Sequence, residues 1–454
     1  MSDKQLLFAA LRGETTERPA WVPFVGVHGG QLIGVTAEEY LKSADLIVQG
    51  LTKAVERYRP DGLPVVFDVQ IEAEVLGCEL NWSNEGPPAV LTHPIELGLS
   101  LAELPEYTTT KGRFPLIGEA VDRLRQQHGD SVAFYGLITG PFTLALHLLG
   151  NTIFLDMYDN PAKVGELLTF CRDVAIKTAD FYLDHGIDVV AVVDPMTSQI
   201  SPEHFTQFET PYVDAVFDHI RQRGAFSSLF VCGDATRNLD VMCQTHCDNI
   251  CVDENIDLGD LARCARAAGK SVGGNLQLTT VLLLGTPTDA ARDAARCWNT
   301  CGTEGFVLAP GCDLPWGTPP ENLEAVASVV HDPYQRDIAR QTVTAGVADD
   351  YADILVPSYA TETSVYLDVI TLDSATCPPC QYMLAAAHQA AKSLSHVVVR
   401  EHKIKNRDGL GYMTKLGATA IPTICIDGKP VFSSLIPDEA ALVHAVQVAK
   451  ERKK

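Results

Sequence analysis

The stretch 162-AKVGELLTFCRDVAIKTADFYLDHGIDVVAVVD-194 changes its pattern half way. Up to Gly186, apolar residues recur every three or four positions, the spacing of one helix face. The run 187-IDVVAVVD-194 is then apolar without alternation and stops at an aspartate. A strand covered by helices outside and by a core inside is buried on both faces, so it reads as such a run. Seven more runs of this kind lie outward from it: 20-AWVPFVGV-27, 64-PVVFDV-69, 131-SVAFYGLI-138, 227-SSLFVCG-233, 249-NICVDE-254, 271-SVGGNL-276 and 305-GFVLAPG-311. Helical patterns separate most of them. Eight such units in about 330 residues predict a closed (β/α)8 barrel. An open doubly wound sheet is the alternative, but the first βα turn lacks the G-x-G-x-x-G of its dinucleotide-binding form.

A barrel of this type does its chemistry at the C-terminal ends of its strands. Those ends carry His28, Asp68, Asp194, Cys232, Asp253, Glu254, Asn275 and Cys312. Each has a plain structural alternative. Asp68 and Asp194 either line a pocket or cap a following helix. His28, before two glycines, belongs to a loop unless a ligand claims it. Cys243, His246, Cys247 and Cys251 are closely spaced, and buried packing is the expected role of the thiols.

Composition limits the partners. The 454 residues exceed one usual domain, and 20% charged with 46% hydrophobic residues is a globular balance. A formal charge of −23 argues against nucleic acid or an anionic membrane as a partner, since both attract basic surfaces. No signal peptide and no apolar run of membrane-spanning length is visible, so a cytoplasmic location is expected. The 13 cysteines show no small-domain disulfide spacing. In a reducing compartment they are packing, metal ligands or redox groups.

The barrel is expected over residues 1–335 and a polar linker over 336–361. A smaller α/β domain follows over 362–454. In it a strand, 363-TSVYLDVITL-372, leads into Cys377-Pro-Pro-Cys380 at a helix start, and 396-HVVVREHKI-404 reads as a second strand. The segment 420-AIPTICIDGKPVFSS-434 reads as a hairpin turning at Asp-Gly. A helix N-terminus favours a thiolate, which makes Cys377 the expected nucleophile and Cys380 its resolving partner. A zinc reading of this pair lacks the two further ligands a structural site needs.

These motifs resemble the thioredoxin/glutaredoxin family, through Cys377-Pro-Pro-Cys380 and 417-GATAIPTICIDGK-429 in order and spacing. The resemblance implies a dithiol redox domain in which Pro422 is cis and faces the cysteine pair.

The first 330 residues resemble the uroporphyrinogen decarboxylase superfamily. The phrases are 12-RGETTERPAWVPF-24, 68-DVQIEAEVLGCEL-80, 136-GLITGPFTLALHLLG-150, 274-GNLQLTTVLLLGTP-287 and 309-APGCDLPWGTPPENLEA-325. The decarboxylases bind a substrate with eight carboxylates, which calls for arginines near the end of the first strand. Here 22-VPFVGVHGGQLIGV-35 has none. The other branch, the cobamide-dependent methyltransferases, holds zinc by a His-x-Cys strand end and a distant cysteine. The resemblance places the cysteines at Cys232 and Cys312 but finds Phe230 where the histidine belongs. A third ligand would have to come from His28, Asp194, Asp253 or Glu254. On this resemblance, zinc is the implied cofactor and methylcobalamin or another cobamide a substrate, with Asp68, Asp194 and Asn275 lining the pocket. The partners are a separate corrinoid carrier protein, because the chain lacks Asp-x-His-x-x-Gly, and a small thiol acceptor. Three alternatives stay open: thiol-disulfide exchange with a thiol or tetrapyrrole in the barrel, decarboxylation, and reduction of a Cys232–Cys312 disulfide by Cys377 and Cys380.

Overall fold

The computed structural model describes residues 3–341, 351–375 and 377–453. Contacts within the chain divide it into two units, Met1–Thr344 and Ala345–Lys454.

The first unit holds eight parallel strands: β1 (Ala20–Trp21), β2 (Gly62–Pro64), β3 (Ala133–Thr139), β4 (Val189–Val193), β5 (Phe226–Val231), β6 (Asn249–Val252), β7 (Ser271–Leu276) and β8 (Phe306–Pro310). Their order is β1-β8-β7-β6-β5-β4-β3-β2, the order of a barrel opened at one seam. In β4, Val189, Ala191 and Val193 join the barrel interior, while Val190 and Val192 are buried outside it. That division explains the unbroken apolar run in the sequence. The helix Pro161–Asp184 before β4 buries Val164, Leu168, Cys171, Ala175 and Tyr182, residues spaced along one face.

The seam between β1 and β2 is joined by Asp61. Its N–H donates to Trp21 O at 2.9 Å, and its carboxylate accepts from Trp21 N at 2.6 Å. Arg18 grips the same carboxylate with both terminal nitrogens, at 2.6 and 2.8 Å, and Asp61 is fully buried. Both edge strands are shorter than the sequence suggests. Pro23 has no N–H to give, so β1 pairing stops after Val22 donates to Leu308 O. Beyond Pro64, the chain leaves the ladder after Val65 but still turns Phe67 and Val69 into the interior.

The N-terminal helix α1 (Asp3–Leu11) plugs one end of the barrel with Leu6, Leu7, Ala10 and Leu11. Near the other end, Phe24, Phe67 and Phe230 pack with ring centroids 5.1 to 5.7 Å apart. Below Phe230, beside Tyr135, Ser228, Asn249 and Cys251, a cavity of about 10 Å³ remains, room for one water at most. The interior is thus packed, and an organic substrate has to be met at the mouth.

The second unit has four strands: β9 (Val365–Thr371), β10 (Val397–Lys403), β11 (Thr423–Ile426) and β12 (Lys429–Ser433). Their order is β10-β9-β11-β12, with β10 parallel to β9 and the other pairs antiparallel. Asp427 and Gly428 both have positive φ at the hairpin turn, 46° and 79°, as a two-residue turn of this hand requires. Met383, Ala387, Leu442 and Val446, from helices Pro378–Lys392 and Glu439–Glu451, form one core with β9 and β11. Leu416 from the helix Arg407–Leu416 belongs to a second core with Ile370 and Cys425. Of the expected linker, residues 342–350 lie outside the described residues. The flanks are structured: Pro333–Gln341 is helical, and after the gap Ile354 is buried and Asp353 pairs with Arg407 at 2.8 Å.

Candidate functional site at the barrel mouth

Inward positions on β5 are Ser228 and Phe230, and the next in phase, Cys232, lies just past the strand end. Cys312 lies two residues past the end of β8, whose inward positions are Val307 and Ala309. Strands β6 and β7 lie between the two, so the cysteines reach toward each other across the mouth. Their Sγ atoms are 2.7 Å apart, and both side chains are half-buried. The hydrogen bond to Cys312 pushes the Cys232 thiol well above its ordinary pKa, helped by burial and by the charges of Asp253 and Cys251.

Tight backbone approaches hold this arrangement. Gly233 takes φ +88° and donates its N–H to Asp253 Oδ2 at 3.0 Å. A side chain at Gly311 would start 2.6 Å from Glu254 N. Asp313, beside Cys312, accepts from Gly26 N at 2.9 Å, and burial raises its pKa well above the usual carboxylate range. A Cβ on Gly26 would lie 2.3 Å from that carboxylate oxygen.

The other expected site residues are committed elsewhere. His28 Nε2 meets Tyr58 Oη at 2.7 Å and Nδ1 lies 3.4 Å from Trp316 O. Burial lowers its pKa to about 4, so the ring is neutral. Asp68 pairs with the buried Arg113 at 2.6 Å and also accepts from Gln70 N. Arg113 reaches Glu74 at 2.7 Å as well, and its guanidinium lies over Trp82. Asn275, after a cis peptide bond with Gly274, donates to Asp253 O and Ile256 O at 3.1 and 2.7 Å. It braces the loop after β6. Asp253 also accepts from Asn255 N at 2.9 Å, and burial raises its pKa. Glu254 accepts from Leu278 N, and burial with the charge of Asp253 lifts its pKa to about 8.

Asp194 is a cap, but for a different helix from the one that follows it. Its carboxylate accepts from Phe142 N, Thr143 N and Thr143 Oγ1, at the start of the helix Pro141–Leu149. Val193 takes the inward position on β4, and Asp194 is fully buried against this helix. Glu209, fully buried, lies close enough to feel the charge of Asp194, and neither of its carboxyl oxygens has a hydrogen-bond partner among the described residues. Burial raises both pKa values, that of Asp194 to about 7. A raised carboxyl pKa means that the folded state holds the extra proton. The dyad therefore costs nothing at pH below the unfolded values and progressively more as pH rises through about 7. Wild-type melting should fall between pH 5 and 8, and Glu209→Gln should flatten that fall. Parallel pH profiles of wild type and variant would refute the assignment.

The structure thus brings Cys232, Cys312 and Asp253 together, with Glu254 close behind. It keeps His28, Asp68 and Asp194 apart from them, in their own networks. Among the described residues no three His, Cys, Asp or Glu side chains converge on one metal position. Two sulfurs on one tetrahedral zinc stand roughly 3.7 Å apart, given a Zn–S bond of about 2.3 Å. The observed 2.7 Å is too short for that, and a phenyl ring fills the place of the third ligand. The donor set does not fit zinc. Asp313 and Arg113 were not singled out in the sequence. Asp313 was detectable only as the neighbour of Cys312, and Arg113 lies far along the sequence from any expected strand end.

Known proteins resemble this chain over much of its length. Methylcobamide:CoM methyltransferase MtbA from Methanosarcina acetivorans is 29% identical over 267 residues, 58% of this chain and 77% of the relative. A uroporphyrinogen decarboxylase from Anaeromyxobacter dehalogenans is 26% identical over 306 residues, 64% of this chain and 86% of its own. A solved methyltransferase from Methanosarcina mazei superposes with a TM-score of 0.67 at 24% identity, over 74% of this chain and 99% of its own, which supports the barrel fold. The uroporphyrinogen decarboxylase (URO-D) family model matches residues 2–333, nearly the whole barrel unit, and the chain belongs to that family.

Proposed function

We propose that the barrel transfers a methyl group from a cobamide, presented by a separate carrier protein, to a small thiol bound at the mouth. The observation that carries this reading is the meeting of Cys232 and Cys312 across the mouth, 2.7 Å apart. These are the positions that the methyltransferase resemblance assigns, and relatives named as methylcobamide:CoM methyltransferases are 28–29% identical to this chain over 267 to 290 residues. In the reaction the acceptor sulfur attacks the methyl carbon on Co(III). The C–Co bond breaks, its electron pair stays on cobalt as Co(I), and the acceptor's proton is released. The chain's own contribution is binding: the two thiols meet at one place, where an S–H can donate to an acceptor thiolate. No step here passes through a metal on the protein.

Decarboxylation of a polycarboxylate fits the mouth poorly. Asp253, Glu254 and Asp313 are acidic there, and the nearby Arg113 is already held by Asp68 and Glu74. The second unit is proposed to be a thioredoxin-like dithiol module. In support, Cys377 caps the helix Pro378–Lys392, is joined to Cys380 by a disulfide, and the Ile421–Pro422 bond is cis.

The test is demethylation of methylcobalamin by the full chain with a set of small thiols, followed by the loss of methylcobalamin absorbance. A hydrogen bond to a charged sulfur contributes about 1.5–3 kcal/mol, so Cys232→Ala should lower kcat/KM about ten- to a hundredfold. An unchanged rate in that variant, or no protein-dependent demethylation with any thiol, would refute the reading.

A further inference from the structure

We propose that Cys232 and Cys312 form a thiol-disulfide exchange site at the barrel mouth whose substrate is a low-molecular-weight disulfide. Three observations carry it. The two sulfurs are 2.7 Å apart, closer than non-bonded sulfurs pack and within a short movement of the roughly 2.05 Å of a disulfide. Both residues are partly exposed, whereas most other free cysteines, including Cys251 on β6, are buried. Finally, Phe230 with Phe24 and Phe67 fills the position from which a third metal ligand would separate the sulfurs.

The step balances without any group the protein lacks. The thiolate of one cysteine attacks a sulfur of the small disulfide RSSR, the S–S bond breaks, and one RS⁻ leaves and takes up a proton. The second cysteine attacks the mixed disulfide and releases the second RSH. Two electrons pass from the protein to RSSR, and a Cys232–Cys312 bond now spans the mouth between strands that are not neighbours in the sheet. A dithiol reverses the reaction by the same two displacements.

The experiment uses the full chain, fully reduced and then equilibrated in glutathione buffers of increasing GSSG:GSH ratio. Acid trapping, alkylation and non-reducing peptide mapping report on each cysteine. The expected result is a linked Cys232–Cys312 peptide pair that grows with the ratio and disappears on adding dithiothreitol. In Cys312→Ser, Cys232 should instead carry glutathione. The proposal is overturned if both cysteines stay fully alkylated at every ratio, or if each carries glutathione without linking to the other. The readout is independent of methyl transfer, so either reading can fail alone.

Discussion

Phe230→His should turn the barrel mouth into a zinc site. Positions 230 and 232 face the same way along β5, so an imidazole there would join Cys232 and Cys312 as a third ligand. The sulfurs would have to part from 2.7 Å to roughly 3.7 Å, a shift of about 1 Å that two strand-end loops can supply. Losing even a residue that only orients a ligand weakens metal binding about 10–100-fold, so gaining a ligand should tighten it by at least that much. Before metal is added, the variant should be less stable by about 1–3 kcal/mol. An imidazole would then be buried among Phe24 and Phe67 without a partner. Zinc should restore that loss. The measurement is zinc titration against a chromophoric chelator, with melting followed in parallel. Equal affinity in wild type and variant would show that Phe230 is not what separates this site from a metal site.

The second large effect concerns the fold. Asp61→Ala should destabilise the barrel unit by about 3–5 kcal/mol, because the buried Arg18 guanidinium loses the carboxylate that holds it with two bonds and keeps only the exposed Asp3, at 3.0 Å, as an ion-pair partner. It also strips the Trp21 N–H of its acceptor at the one seam where the strand ladder is thinnest. Changing Arg18 and Asp61 together to apolar residues should cost less than the single change, since no charge is then stranded. Denaturant midpoints of the barrel transition measure both. A single-variant loss under about 1 kcal/mol would mean that Asp61 is not the seam's main tie.

Much of this architecture was legible in the residues. Seven of the barrel strands fall on the apolar runs, because burial on both faces leaves no room for alternation, while β2 (Gly62–Pro64) meets its run only at Pro64. The strand-end rule then put Cys232 and Cys312 at one mouth. The edge strands were overestimated, since the same apolar run serves whether or not its backbone stays in the ladder. The seam around Arg18 and Asp61 was not legible. It rests on a pairing between residues 43 positions apart that have no periodic pattern. Asp194 shows the same limit. Its place before Pro195 suggests a cap for the next helix, yet it caps the helix Pro141–Leu149, which only the parallel β3–β4 pairing brings near. At the site itself, the sequence identified the missing histidine but not its consequence. The spacing of the two sulfurs and the engagement of His28, Asp253 and Glu254 are three-dimensional facts.

Cys232 and Cys312 meet as a two-thiol site rather than as metal ligands. The most direct test is the alkylation rate of these two cysteines in the full chain, with and without one equivalent of zinc, read by peptide mapping. The expected result is the same rate in both conditions and no retained zinc after gel filtration. About one zinc per chain, protecting both thiols from the reagent, would contradict it.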